Sequence, residues 1–215
     1  MKYCQRGAWI IEAMIVLFIL VSWIIGIYTI LGSSQKLSQS TAYRIQAIQI
    51  ARDWLEAMTN IRDTNWIEFW GDLKNCWNTF NYDDGCLWED GFDNKIQHED
   101  TEAFIIYRDN STWKFHLEVK NADNDFSHPQ YRDNFRVNYD ERWFYTQTGS
   151  ITLNREYTRK LQVNYIDDNW NSAWSDNPSH SIMEIITTVQ WQDPVTSWFR
   201  ELEMSTRLTN WKDRD

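Results

Sequence analysis

The chain has 215 residues and a formal net charge of -10, with 31 acidic against 21 basic side chains. That balance disfavours a surface that coats nucleic acid at large, and the length fits one globular domain with an appended segment. Three cysteines are too few for a disulfide framework. The four histidines, His98, His116, His128 and His180, are scattered, and no H-E-x-x-H, G-x-S-x-G or glycine-rich phosphate loop is present. Cys76 and His98 make a nucleophile and base only on paper, because spacing alone supplies no geometry. The chain is read as a non-enzyme with no catalytic residues and no cofactor.

The first informative stretch is RGAWIIEAMIVLFILVSWIIGIYTIL, in which a basic residue and Gly7 precede a long apolar run. Ala8 to Leu31 is 24 residues. As a helix it rises to roughly 36 Å, more than the hydrocarbon core of about 30 Å. It is too long for the apolar region of a cleaved secretory signal, and Tyr28 to Ser33 offers no A-x-A site. Lys2 and Arg6 lie before the run and Lys36 is the first positive charge after it, so the N-terminus is expected in the cytoplasm and everything beyond Leu31 outside. Glu12 is the anomaly. A carboxylate inside such a helix costs up to about 3 kcal/mol at the bilayer centre and calls for a cationic partner.

Gly7, Ala8 and Glu12 stand where the type IV pilin and pseudopilin family has its processing signature, and the stretch resembles it. In that family a short basic leader ends in glycine, a membrane peptidase cuts after it, the new amine is methylated, and the fifth mature residue is glutamate. The resemblance implies residues 1–7 as leader, Ala8 as the methylated terminus, and Glu12 as the assembly residue that pairs with a neighbouring subunit's amine. It departs at Ala8, where phenylalanine is usual, and at Trp9, where a small polar residue is common. Loss of Lys2 and Arg6 with the leader would take the net charge from -10 to -12.

Helical spacing continues past the apolar run. Gly32, Ser33 and Ser34 mark a soft point where the helix can bend, yet Leu37, Tyr43, Ile45, Ile48, Ala51, Leu55 and Met58 recur mostly every three or four residues. A second line, Ala47, Ile50, Trp54, Ala57 and Ile61, widens the face. Residues 32–62 therefore read as an amphipathic extension of the transmembrane helix 8–31. NIRDTNW, Asn60 to Trp66, resembles a stretch that follows this helix in predicted minor pilins. Asn65 is expected to mark the passage from helix to loop, with Arg62 and Asp63 a solvated pair.

Residues 63–102 read as an acidic loop region with turn signals at Asp84-Gly85 and Asp90-Gly91. Asp83, Asp84, Glu89, Asp90 and Asp93 are hard oxygen ligands, but they lack EF-hand spacing, and no metal is assigned. With Cys4 in the leader, Cys76 and Cys86 remain as a pair, either as two packed thiols or as a small local disulfide. A bond is expected in an exported chain.

From residue 103 to 215 the period changes to two. AFIIY, WKFHLEV, FRVNY, KLQVNYI, SIMEIITTVQW and RELEMSTRL are β-branched and aromatic runs between turn clusters, which predicts an antiparallel β domain. His116 falls on the polar side of one run and is expected to be exposed. The RLTNWK ending again resembles predicted minor pilins. The expected fold is α+β: one long N-terminal helix, transmembrane below and amphipathic above, packed on a C-terminal antiparallel sheet, as in pilins.

Tryptophan is also out of proportion, 14 residues against 7 glycines, which reverses ordinary usage. Trp54 stands where the resembled proteins commonly have glycine. Some bacteria read UGA as glycine while another code table reads it as tryptophan, and Trp9, Trp23, Trp54, Trp170 and Trp174 are positions where that difference would show.

The function these features imply is that of a structural subunit, a minor pilin or pseudopilin of a type IV pilus or type II secretion-like filament. Its expected partners are other pilin subunits, the prepilin peptidase/methylase, the filament assembly platform and the membrane. The alternative is a single-span, membrane-anchored extracytoplasmic binding module or adhesin that does not polymerise.

Overall fold

A computed structural model describes residues 5–87, 95–96, 102–109, 111–121, 133–139, 145–147, 151–152, 157–166, 172–173 and 182–210. Its contacts divide the chain into Met1–Arg44 with Pro194–Thr196, and Ile45–Asp193 with Ser197–Asp215. The fold is α+β, with one long N-terminal helix and a C-terminal antiparallel sheet onto which the later part of that helix packs.

Helix α1 runs without a break from Gln5 to Glu68. In its first part the side chains from Trp9 to Leu31 are exposed. The serine and threonine hydroxyls there bond within the helix: Ser22 Oγ donates to the Phe18 carbonyl, Thr29 Oγ1 to that of Gly26, and Ser33 Oγ to that of Thr29. Such back-bonding satisfies these hydroxyls in an apolar solvent. The helix is unbroken through the soft point expected at Gly32 to Ser34.

From Ile45 onward a stripe of Ala47, Ile50, Ala51, Trp54, Ala57, Met58 and Ile61 is buried. Its spacing of three and four residues places it on one helical face. That face meets Phe104 and Ile106 of β1 (Glu102–Arg108), Leu117 of β2 (Phe115–Asn121), Leu161 and Val163 of β6 (Tyr157–Ile166), and Met183 and Ile185 of β8 (Ile182–Gln192). The main sheet has the order β2-β1-β6-β8-β9, β9 being Phe199–Thr209, and β7 (Ser172–Ala173) pairs with β6. All its pairings are antiparallel, with Leu161 opposite Thr187 and Thr187 opposite Met204. A second sheet of two-residue strands, β4-β3-β5, comprises Asn138–Tyr139 as β3, Tyr145–Thr146 as β4 and Ile151–Thr152 as β5.

The helix outlasts the expected boundary at residue 62. Asn65 does not end α1: it is fully buried, and its Nδ2 donates to the carbonyls of Trp77 and Thr79 at 3.3 and 3.1 Å. The stripe continues Ile61, Asn65, Phe69 at intervals of four, so the asparagine sits where a core residue would. A weak helix former is held there by the tertiary hydrogen bonds it makes. The region expected as an acidic loop likewise holds a short helix α2, Leu73–Cys76, capped by Asp72 Oδ1 on the Asn75 amide, and two short 3-10 turns.

Two further expectations are corrected. Trp113 is not in β2, which starts at Phe115; Trp113 lies in the β1–β2 turn with φ of 63°. His116 is half-buried rather than exposed, held between Tyr82 and Tyr107 with ring centroids 5.4 and 5.6 Å away. Asp109 organises that same turn: its carboxylate accepts from the Ser111 amide and from the hydroxyls of Ser111 and Thr112, which hold it well below the usual carboxylate range.

The Asn65 contacts give a test. Asn65→Ala leaves two buried carbonyls without their donor, and the expected loss is about 1–3 kcal/mol. Urea unfolding of the detergent-solubilised chain followed by tryptophan fluorescence reads it; an unchanged midpoint would mean those carbonyls find other partners.

Candidate functional site

The sequence points to α1 as the functional element. Gly7 and Ala8 lie within its first turns, and Glu12 follows on an exposed position. An 18-residue window of the helix reaches a mean hydropathy of 2.7, so α1 is long and apolar enough to cross a membrane. Val16, Ile19, Leu20, Trp23, Ile24 and Ile27 line a shallow apolar groove along one side. Their spacing of three and four is that of a seam that packs against another helix. Glu12 precedes Val16 by four residues and therefore stands at the N-terminal end of this same stripe. The carboxylate and the groove thus share one face.

The disulfide joins Cys76 to Cys86, with Cα atoms 5.3 Å apart, and both residues are buried beside Phe69. The bonded loop is tied to the rest of the globular part on two sides. Asn65 holds Trp77 and Thr79 from α1. On the sheet side, Asn78 Nδ2 donates to the Tyr165 hydroxyl, which donates to the Ile96 carbonyl. Burial raises the Tyr165 phenol well above its ordinary value, which keeps it a donor. Asn81 covers the outer edge of β2, with Nδ2 donating to the Leu117 carbonyl and Oδ1 accepting from its amide. Tyr82 adds a hydrogen bond to the Phe115 carbonyl, and burial followed by the Glu68 charge pushes its phenol up to about 12. These bonds occupy outward backbone groups at the start of β2, which hinders another strand from pairing there.

A third cluster escaped the sequence reading. Arg159 on β6 is fully buried, its Nη1 donates to the Ile50 carbonyl at 2.7 Å, and its guanidinium lies 3.7 Å from the centre of the Trp54 ring. Its Nε and Nη2 have no hydrogen-bond partner among the described residues. Burial pushes the guanidinium well down from its ordinary value, against the opposing charge of Asp53. Asp53 is in turn raised by desolvation, with Arg159 opposing. Nearby, Gln46 Nε2 donates to the Tyr145 hydroxyl and its Oε1 accepts from Tyr157. The only signal in the sequence was period two: Arg159 shares parity with Leu161, Val163 and Tyr165 and so belongs on the inward face.

Among the described residues, no three histidine, cysteine, aspartate or glutamate side chains converge as a metal site. Asp83 and Asp84 are exposed; Glu89, Asp90 and Asp93, like His98, His128 and His180, lie outside the described residues. Arg62 and Asp63 bond each other at 2.9 Å, and Arg62 also lies over the Trp66 ring at 4.5 Å, so the arginine is packed rather than simply solvated.

The architecture defines an α+β protein with one helix near its N-terminus long and apolar enough to span a membrane. No family model, curated protein or solved structure matches the chain.

Closing the loop from Cys76 to Cys86 restricts the unfolded chain by about 2–3 kcal/mol on the entropy model. Cys76→Ser with Cys86→Ser should lower stability by about that amount and loosen the Asn65 and Tyr165 contacts together. Thermal melts of the double variant test this, and an unchanged melting temperature would show that the loop is held by its hydrogen bonds alone.

Proposed function

We propose that the chain is a structural subunit, a minor pilin or pseudopilin, of a type IV pilus or type II secretion-like filament, anchored in a membrane before assembly. The observation that carries this reading is the placement of Glu12 at the head of the apolar groove on a helix exposed from Trp9 to Leu31. A bilayer covers the apolar residues but not the acid. A second helix laid along the groove covers both when its N-terminal amine meets Glu12.

Processing after Gly7 supplies that amine at Ala8, and methylation keeps it cationic. In a packed bundle the Glu12 carboxylate and a neighbour's Ala8 amine satisfy one another, whereas either alone is an uncompensated charge. The globular part, with its helix stripe buried under its own sheet, then sits outside the membrane and on the filament surface. Prepilin peptidase/methylase and an assembly platform are the partners this scheme requires. The anchored, non-polymerising module uses the same span but gives Glu12 no role.

Glu12→Leu separates the two. The variant should insert into the membrane at least as well as the wild type, since an apolar side chain replaces a costly one. It should be cleaved at the same bond, giving a mature form that begins at Ala8 and differs from the wild type only by the Glu-to-Leu change in mass. Incorporation should fail, because a buried charge stripped of its partner costs about 3–5 kcal/mol. Recovery in sheared filaments reads this. Equal recovery of variant and wild type would remove Glu12 as the assembly contact, and a wild-type protein found only in membranes would favour the anchored module.

A further inference from the structure

Among the described residues no glycine has a positive φ, yet four other residues do: Asn81, Tyr82, Trp113 and Ser197. Two of them hold equivalent places in two hairpin turns. In the β1–β2 turn the Asp109 amide donates to the Lys114 carbonyl and the Trp113 amide to the Asp109 carbonyl; in the β8–β9 turn the Asp193 amide donates to the Trp198 carbonyl and the Ser197 amide to that of Asp193. The residue four past each aspartate is left-handed, Trp113 at φ 63° and Ser197 at φ 58°. This is a position where glycine sits without strain and where a bulky side chain is an outlier. The first turn carries the largest side chain there is.

Trp54 is anomalous for another reason. Its buried indole lies over a guanidinium that is fully buried and has two nitrogens without a partner among the described residues. With no side chain at 54, those two donors would gain access to water. Both anomalies fall on the residue type that outnumbers glycine 14 to 7. By contrast Trp77 and Trp191 are buried in ordinary backbone, Trp191 inside β8 and packed on Tyr157 at 6.5 Å.

We infer that residues 54 and 113 are glycine in the protein as its own cell makes it, the codons there being UGA read as glycine, while Trp77 and Trp191 are true tryptophans. Glycine at 113 releases the β1–β2 turn from its strain, and glycine at 54 opens a notch on α1 opposite Arg159.

Tryptic peptides of the native protein test this directly. The peptides Asp53–Arg62 and Asp109–Lys114 should each weigh less by the difference between a tryptophan and a glycine residue, and fragment ions of the peptides Asn75–Lys95 and Leu161–Arg200 should place a full tryptophan residue at 77 and at 191. Tryptophan masses at 54 and 113 would overturn the inference, as would UGG codons at those two positions in the gene. A second arm needs no native source. In the full chain made with tryptophan, Trp113→Gly should melt higher than Trp113→Ala, because both lose the ring and only glycine relieves φ 63°. The reverse order would remove the backbone argument.

Discussion

The structure depends on one helix meeting two environments. Past Ile45 the apolar stripe of α1 is covered by the sheet, and the buried contacts of Met58 and Ile61 with Phe104, Leu161 and Met183 make the globular core. Full burial of side chains of this kind contributes about 1.5–3 kcal/mol each, which is enough to hold the helix on the sheet. Before Arg44 the same helix carries more apolar residues with none of that cover. Hydrophobic surface on that scale needs an occupant, and Glu12 restricts what the occupant can be.

The edges of the sheet are treated differently from each other. Asn81 and Tyr82 close the β2 edge with side-chain hydrogen bonds, at the expense of left-handed backbone at both residues. At the other side β9 is guarded by charge, with Arg200, Glu201, Glu203 and Arg207 along it, and Arg207 Nε bonded across to Glu184. Charged side chains along an edge discourage pairing with other strands. Association through the helix rather than through the sheet is consistent with both arrangements.

Much of this was legible in the sequence where one periodicity ran long enough. The apolar run, the amphipathic extension and the strands around Leu117, Leu161, Ile185 and Met204 are each carried by a repeat of 3.6 or 2 residues. Failures came where a single residue acted against its type. Asn65 continues a helix because two carbonyls from the disulfide loop hold its amide. Trp113 reads as the start of a strand by propensity, and only the turn geometry places it outside. Arg159 reads as surface by charge, although its parity puts it inside. The strands β3, β4, β5 and β7 are two residues each, too short for any period to appear. Glu12 was visible for the opposite reason: a lone acid in an apolar run has no ordinary role.

The central claim is that the exposed helix from Trp9 to Leu31 is covered first by lipid and then by the helices of like subunits. Single cysteines at Ile19, Ile27 and Gln39 in a Cys4→Ser chain, exposed to a water-soluble maleimide, test it in membranes and again in sheared filaments stripped of lipid. The account predicts that positions 19 and 27 are protected in both preparations while 39 reacts in membranes. Reaction at 19 and 27 as fast as at 39 in membranes, or their exposure once lipid is removed from filaments, would contradict it.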